Sequence, residues 1–392
     1  MQDARSKKQE IRSKMQETRG KRQETRCQMQ EARGKKNFSL SSIIWFLTSG
    51  FLLLTSCLLF LAGCSTTLSE HNKETPSTPI VWPLPPEPTR IGYEGILEKP
   101  DDAGTKKGFF RRIFEFLAGE TTDRIIKPYG IAVDSTGRIL VADTAFKRLH
   151  IFDKKDGNYT WIDEFNNRGF VSPIGIAVDN QDNIYVSDSE LNKIFVFNRK
   201  GKLLSEITQN IQRPTGIAVN KNEGFLYVVN TLGHNISVYN LSGKYLYIFG
   251  SRGRENGAFN FPTDIFVDKE GFVYVTDSMN FRVQIFNKAG KFVSMFGRQG
   301  DGSGNFARPK GVAVDRSGNI YVVDALFDAV QIFNRDGRYL LGFGSSGHGM
   351  GNFWLPSGIF IDSKDRIYVS DSFNRRVQIF RYIGDETNEN KK

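Results

Sequence analysis

The chain has 392 residues, 39% of them hydrophobic and 24% charged, and a formal net charge of +10. Of its 53 basic and 43 acidic residues, 12 and 5 lie in residues 1–63, so the remainder carries 41 basic and 38 acidic residues. This near balance gives little support to nucleic-acid binding. The three cysteines, Cys27, Cys57 and Cys64, all precede residue 65. Disulfides, thiolate nucleophiles and cysteine metal sites are therefore excluded from residues 65–392.

Residues 1–63 have the organisation of an export signal. Residues 1–36 are polar and basic, with Gln-Glu every seven residues but no apolar seam for a coiled coil. An apolar stretch at 43–61 leads to Leu61-Ala62-Gly63-Cys64, and this order predicts a secretory signal peptide.

The segment Leu61-Ala62-Gly63-Cys64 resembles the bacterial lipobox, which implies that Cys64 becomes the lipid-bearing first residue of the mature protein. The alternative is an uncleaved signal anchor, because the apolar stretch is nearly long enough to span a bilayer. Either interpretation predicts an extracytoplasmic protein tied to a membrane. In a Gram-negative cell, Ser65 would resemble lipoproteins sorted to the outer membrane.

Residues 64–109 are rich in Pro, Ser and Thr and predict an extended tether. Within them, 90–97 has the pattern of a short strand that could lie against the following domain. Residues 112–119 have the pattern of a fourth strand, but they precede the first repeat and so belong to no complete repeat. We expect 112–119 to close the following domain by pairing with the last repeat, which removes an open sheet edge.

Residues 110–383 contain six units that each start with Pro, mostly as Pro-x-Gly, at intervals of 41 to 48 residues. The prolines are Pro128, Pro173, Pro214, Pro262, Pro309 and Pro356. Unit four shows four runs of β-branched and aromatic residues, at 265–268, 271–277, 282–287 and 291–297. Four strands per unit and this period predict propeller blades. The sixth unit stops after its third strand, and 384–392 form a charged tail.

Pro173-Ile-Gly-Ile-Ala-Val-Asp179, followed by Gly-x-Ile-Tyr-Val-x-Asp and Asn-x-Arg-Val-Gln-Ile-Phe patterns, resembles the NHL repeat. The resemblance implies an all-β, six-bladed propeller of four-stranded antiparallel blades. Relatives with this fold include protein-binding and RNA-binding modules, sensor ectodomains and a few lyases and lactonases, so function has to be argued from the site.

The two faces of such a disc differ in their loops. The short-turn face carries tight glycine-marked turns, and the long-loop face carries the loops between second and third strands and the passages between blades. Binding residues usually lie on long loops. The alternative is that the Gly-rich passages, each ending in a buried Phe, only connect one blade to the next. Candidate binding residues at this face, near the expected channel mouth, are Tyr129, Arg213, Arg308 and Lys310.

The second strands end in a ring of polar residues: Asp143, Asp188, Asn230, Asp277, Asp324 and Asp371. A cation site or a general base is one interpretation. The other is a repeated ion pair that braces the loops, because four of the acids have Arg or Lys five residues later. Asp324 lacks such a partner, since Ala329 stands there, and this makes it the acid most available for another role. Asp264, which replaces the motif glycine, and the loop residue His234 are further candidates.

The sequence therefore predicts a monomeric, lipid-anchored scaffold that binds an envelope or periplasmic protein, or another envelope component, without a cofactor or metal. The alternative is a propeller lyase or hydrolase, or a small-ligand sensor, with its site at the channel mouth. The alternative has little support, because no second His stands at metal-binding spacing from His234 or His348.

Overall fold

A computed structural model of the protein describes residues 79–104 and 123–383. The predicted signal peptide, Cys64, residues 112–119 and the tail lie outside these ranges. No helix of the described residues is long and apolar enough to cross a membrane.

The described chain forms six antiparallel sheets that correspond to six blades, together with a two-stranded hairpin. The first three blades are β3–β6 (Pro128–Val133, Ile139–Asp143, Arg148–Asp153, Asn158–Ile162), β9–β12 (Pro173–Val178, Ile184–Asp188, Lys193–Phe197, Leu203–Ile207) and β13–β16 (Pro214–Asn220, Phe225–Asn230, Asn235–Asn240, Tyr245–Phe249). The hairpin β7–β8 (Glu164–Phe165, Arg168–Gly169) lies between the first two blades.

The next two blades are β17–β20 (Pro262–Val267, Val273–Asp277, Arg282–Phe286, Phe292–Phe296) and β21–β24 (Pro309–Val314, Ile320–Asp324, Ala329–Phe333, Tyr339–Phe343). The sixth combines β25–β27 (Ile359–Ile361, Arg366–Asp371, Arg376–Tyr382) with β1 (Val81–Trp82) and β2 (Ile91–Leu97). Two 3₁₀ turns cover Pro100–Ala103 and Ser278–Asn280. The predicted all-β, six-bladed architecture is confirmed.

An N-terminal strand completes the last blade, but it is not the one that we favoured. β2 pairs with β27 from Ile91 opposite Tyr382 to Leu97 opposite Val377. The edge that we expected 112–119 to occupy is thus taken by Ile91–Leu97. Ile91 and Leu97 are fully buried, and Trp82 of β1 packs against Phe343 and Phe380 with ring centroids 5.7 Å away.

The Pro-x-Gly motif has a steric cause in the packing of neighbouring first strands. A Cβ on Gly130 would lie 2.2 Å from the Ile174 carbonyl oxygen of the next blade, and one on Gly358 would lie 2.0 Å from the Tyr129 carbonyl oxygen. Both distances are well inside van der Waals contact. The inner strands therefore approach closely only where this position has no side chain.

Six apolar clusters lie between successive blades and form a closed ring. The cluster between the sixth and first blades contains Leu97, Ile131, Tyr368 and Val377, all buried. Burial of each large apolar side chain contributes about 1.5–3 kcal/mol to folding. Because the clusters join every blade to the next, the disc gains this stabilisation all the way round.

In five of the six blades an Asp follows the first strand and shapes the turn on the short-turn face, and blade three has Asn220 at this position. Asp315 accepts the N–H groups of Ser317 and Asn319 at 2.9 and 2.8 Å, and the Tyr321 hydroxyl donates to it at 3.1 Å. Asp268 and Asp362 hold the same turn in their blades. The Val-Asp signature of the repeat is therefore a turn-forming feature.

Candidate binding surfaces

The first strands of the six blades surround a central cavity of about 370 Å³. Its wall is mostly aliphatic, and its ends are more polar. The exposed residues of the lining are Lys221, Asn222 and Lys269, which all lie in first-to-second strand turns. At the other end, Tyr129, Ile174 and Asp264 are half-buried. We expected the channel to open at the long-loop face, but its exposed lining lies on the short-turn face.

Asp264 stands where the other five blades have the motif glycine, and it lines this cavity. Its Oδ2 accepts the N–H of Val312 in the next blade at 3.1 Å. A Cβ on Gly216 in the preceding blade would lie 2.4 Å from its Oδ1. Burial raises the pKa of Asp264 to about 7, although the N–H groups of Val312 and Ile265 favour the ionised form.

Four of the predicted site residues surround the long-loop end of the channel. Burial raises the pKa of the Tyr129 phenol, the Asp264 carboxylate raises it further, and Arg308 acts in the opposite direction. Burial and the neighbouring Arg308 lower the pKa of Lys310 to about 8. Tyr129, Asp264, Arg308 and Lys310 are therefore electrostatic neighbours, contributed by blades one, four and five.

Other residues near this end hold the blades together. The Thr263 hydroxyl donates to the Lys310 carbonyl at 2.8 Å, and the Ser372 hydroxyl donates to the Pro128 carbonyl at 2.7 Å. Thr231 makes the corresponding bond to the Pro262 carbonyl at 2.8 Å. These bonds explain why hydroxyl side chains recur at this level without requiring a ligand.

The polar ring at the ends of the second strands braces the passages between blades. Asp324 is fully buried, and it accepts the N–H groups of Ala307 at 2.7 Å and Arg308 at 2.9 Å. It also accepts those of Leu326 and Phe327. The expectation that Asp324 is the most available acid is wrong, because backbone donors occupy it in place of a basic side chain.

The predicted ion pairs form in only two of the four blades that carry the charges. Arg282 contacts Asp277 and Arg376 contacts Asp371, each at 2.8 Å. Lys193 instead contacts Glu206 at 2.9 Å, and Arg148 contacts Asp163 at 3.3 Å. A hydrogen bond from a backbone N–H of the preceding passage is the more general feature of the ring. The Val171 N–H donates to Asp188 at 2.7 Å, and the Gln212 N–H donates to Asn230 at 3.0 Å.

His234 and Arg213 occupy loops on the long-loop face. His234 is buried with φ of 52°; its Nδ1 accepts the Phe261 N–H at 3.2 Å, and its ring lies 4.6 Å from that of Phe261. These contacts hold the two loops together. Arg213 is exposed, and its N–H donates to Asn192 at 2.6 Å. None of the ion pairs formed by the described residues involves Arg213 or Arg308.

The three Gly-rich passages share one conformation around a fully buried phenylalanine, namely Phe259, Phe306 or Phe353. Each Phe forms a bridge to a residue seven positions earlier, as Arg252 does with Phe259. The interpretation that these passages re-enter the ring around a buried Phe agrees with this geometry.

The sequence analysis missed an apolar surface on the long-loop face. We call it the apolar arc, and its members are 36 to 56% exposed: Leu232, Phe261, Met279, Leu326, Trp354 and Phe373. The Trp354 and Phe373 rings contact each other at a tilt of 54° with centroids 5.5 Å apart, and the Lys127 ammonium lies 5.8 Å from the centroid of the Phe373 ring. A signal was available, because four members follow the second-strand acid or Asn230 by two residues, where blades one and two have Ala145 and Glu190.

Within residues 79–104 and 123–383, no three His, Cys, Asp or Glu side chains lie close enough together to hold a metal ion.

Comparisons with known proteins agree with this geometry. The sequence matches the family model DUF5128, described as a 6-bladed β-propeller, over residues 96–222, 270–330 and 317–387. No curated protein matched the sequence.

Three solved structures share the fold at low identity. A streptogramin B lyase is 14% identical, with a TM-score of 0.52 over 67% of this chain and 95% of its own. An auxiliary nutrient binding protein from Bacteroides thetaiotaomicron is 13% identical, with a TM-score of 0.53 over 66% and 70%. A gluconolactonase from Xanthomonas campestris is 16% identical, with a TM-score of 0.51 over 68% and 92%. Lyase, lactonase and binding protein thus use one scaffold, and the likeness concerns the fold alone.

Proposed function

This chain belongs to the DUF5128 family of six-bladed β-propellers, and we propose that it is an extracytoplasmic binding scaffold, held at a membrane through lipid on Cys64, whose long-loop face binds a protein of the cell envelope. The observation that carries the proposal is the apolar arc. Its six large side chains are exposed on one face and come from blades three to six.

Within the arc, Trp354 and Phe373 contact each other, and the other four members are exposed on the same face. Exposed apolar side chains scattered singly are ordinary, whereas a cluster on one face marks an interaction site. Trp354 and Phe373 are the aromatic residue types that interface cores favour. Their tilted ring contact at 5.5 Å restricts both side chains before a partner binds, which reduces the entropy lost on binding.

Cationic side chains beside the arc indicate the charge of the partner. Arg213 and Arg308 are exposed on this face, and Lys310, whose pKa Arg308 lowers, is half-buried. Burial of a lysine disfavours its charge, so a nearby carboxylate would relieve that cost. The surface therefore suits a protein with an apolar patch and acidic residues at its edge.

The test uses the full chain in its own membranes. The double variant Trp354→Ala/Phe373→Ala should lower the yield of cross-linked envelope protein at least about tenfold, because truncation of a buried aromatic anchor typically costs 2 kcal/mol or more. Quantitative mass spectrometry of the captured proteins gives the measurement.

The matched control is Leu204→Ala/Leu340→Ala, which removes two equally exposed apolar side chains from fourth strands. This control should leave capture unchanged. Equal capture by the aromatic variant and the wild type would remove the arc from the account.

A further inference from the structure

The central cavity is a second surface with recognition chemistry of its own, distinct from the apolar arc. Its volume of about 370 Å³ is at the lower end of the range for small-molecule sites. Ile131, Ile176, Ile217, Ile265 and Ile359 contribute to a largely aliphatic wall. A ligand that fits this space has a small apolar body.

One carboxylate interrupts the wall. Asp264 lines the cavity, and its hydrogen bond from the Val312 N–H at 3.1 Å occupies only part of the acceptor capacity of its two oxygens. Among the described residues, no Lys, Arg or His forms an ion pair with Asp264. Its pKa of about 7 reflects burial without a cationic partner. The complement to such a group is a cation or a strong hydrogen-bond donor.

Tyr129 supplies an aromatic surface to the same end of the cavity. In a closed ring of six, the first blade lies opposite the fourth, so Tyr129 and Asp264 approach the channel from opposite sides. The two groups lie within electrostatic reach, since the Asp264 carboxylate raises the pKa of the Tyr129 phenol. An aromatic face opposite a carboxylate is a favourable site for an ammonium group.

Cationic side chains stand at both ends of the channel, and none of them forms an ion pair with Asp264. At the Asp264 end, Arg308 is exposed to solvent, and burial together with Arg308 lowers the pKa of Lys310 to about 8, so Lys310 is only partly charged at pH 8. Lys221 and Lys269 stand at the open end. The Lys269 ammonium donates to the Arg316 carbonyl at 3.4 Å, on the rim of the next blade. Lys221 and Lys269 are exposed, so solvent and salt screen their repulsion of an entering cation. The end of the cavity with exposed lining therefore remains a route for a small amine.

From the cavity, its unpaired carboxylate and the facing aromatic ring, we propose that the channel binds a small primary amine with an apolar body, which enters from the short-turn face and places its ammonium group between Asp264 and Tyr129. The inference is independent of the proposed function, because the channel and the apolar arc share no residue.

The experiment titrates the full chain with three probes of equal length, n-hexylamine, n-hexanol and hexanoate, by calorimetry at pH 8. Hexylamine should bind at least about tenfold more tightly than hexanol, because a charge-assisted hydrogen bond is about twice as strong as a neutral one. Hexanoate should bind most weakly, since its charge repels that of Asp264.

Asp264→Asn keeps the shape of the side chain and removes its charge, so it should abolish the preference for the amine over the alcohol. Tyr129→Leu should weaken hexylamine binding more than hexanol binding. Trp354→Ala/Phe373→Ala should leave all three affinities unchanged, which separates this site from the arc. Equal affinities for amine and alcohol, an unaltered preference in Asp264→Asn, or binding of none of the probes would overturn the proposal.

Discussion

At the scale of single residues, Asp264 shows how one departure from a repeat creates a chemical group inside a rigid ring. Glycine at this position in the other blades lets inner strands approach, as the 2.2 Å between a hypothetical Cβ on Gly130 and the Ile174 oxygen shows. At Asp264 the next blade instead offers the Val312 N–H. The repeat made this residue stand out in the sequence, whereas its burial and its missing cationic partner could not be known before the ring was assembled.

The raised pKa of Asp264 makes stability depend on pH in a defined direction. Its folded pKa of about 7 exceeds the ordinary value of 3.8, so between these pH values the folded protein keeps a proton that the unfolded chain has lost. The free energy of unfolding should therefore fall as pH rises from 4 to above 7. At about 1.4 kcal/mol for each pKa unit, the cost at pH 8 reaches at most about 4 kcal/mol.

Asp264→Asn removes this titration. Urea unfolding should find the variant more stable than the wild type at pH 8, with a much smaller difference at pH 4.5. Asp301→Asn, at an exposed loop position, should show no such pH-dependent gain. An equal difference between Asp264→Asn and the wild type at both pH values would show that Asp264 does not carry a raised pKa.

At the scale of elements, the strands that repeat were predictable and the strand that does not repeat was misplaced. In each blade, the alternation of apolar and polar residues and the turn residues predict the strands, and the same pattern occurs in six copies. The closing strand has no second copy. Residues 91–97 and 112–119 both carry a short strand pattern, and pairing with β27, about 285 residues away, is decided by burial that a local pattern does not report. Ile91 and Leu97 reach complete burial in the two clusters that flank the sixth blade.

Because β2 is part of the closed ring, its core residues should contribute as much to stability as those of an inner blade. Leu97→Ala should lower the free energy of unfolding by about 2–5 kcal/mol. Leu226→Ala in blade three provides the comparison, since Leu226 is also fully buried. Chemical denaturation of both variants tests this expectation. A cost below about 1 kcal/mol at Leu97 alongside a full cost at Leu226 would mean that β2 does not close the ring.

At the scale of the whole molecule, the disc presents two surfaces of different chemistry. The long-loop face carries the apolar arc with Arg213 and Arg308 beside it, whereas the exposed lining of the channel is on the short-turn face. The sequence located Tyr129, Asp264, Arg308 and Lys310, which the fold brings together, because they vary at fixed positions of the repeat. It did not reveal the accessible end of the channel, since that depends on how the inner strands of six blades pack.

The measurement that tests the central claim most directly is site-specific photo-crosslinking in intact cells. A photoreactive residue replaces Leu232 or Leu326 on the long-loop face, and Lys200 or Lys244 in the turns of the opposite face serves as the control. The account predicts one reproducible adduct with an envelope protein from Leu232 and Leu326, and none from Lys200 and Lys244. Adducts from the short-turn positions alone, or no difference between the faces, would contradict it.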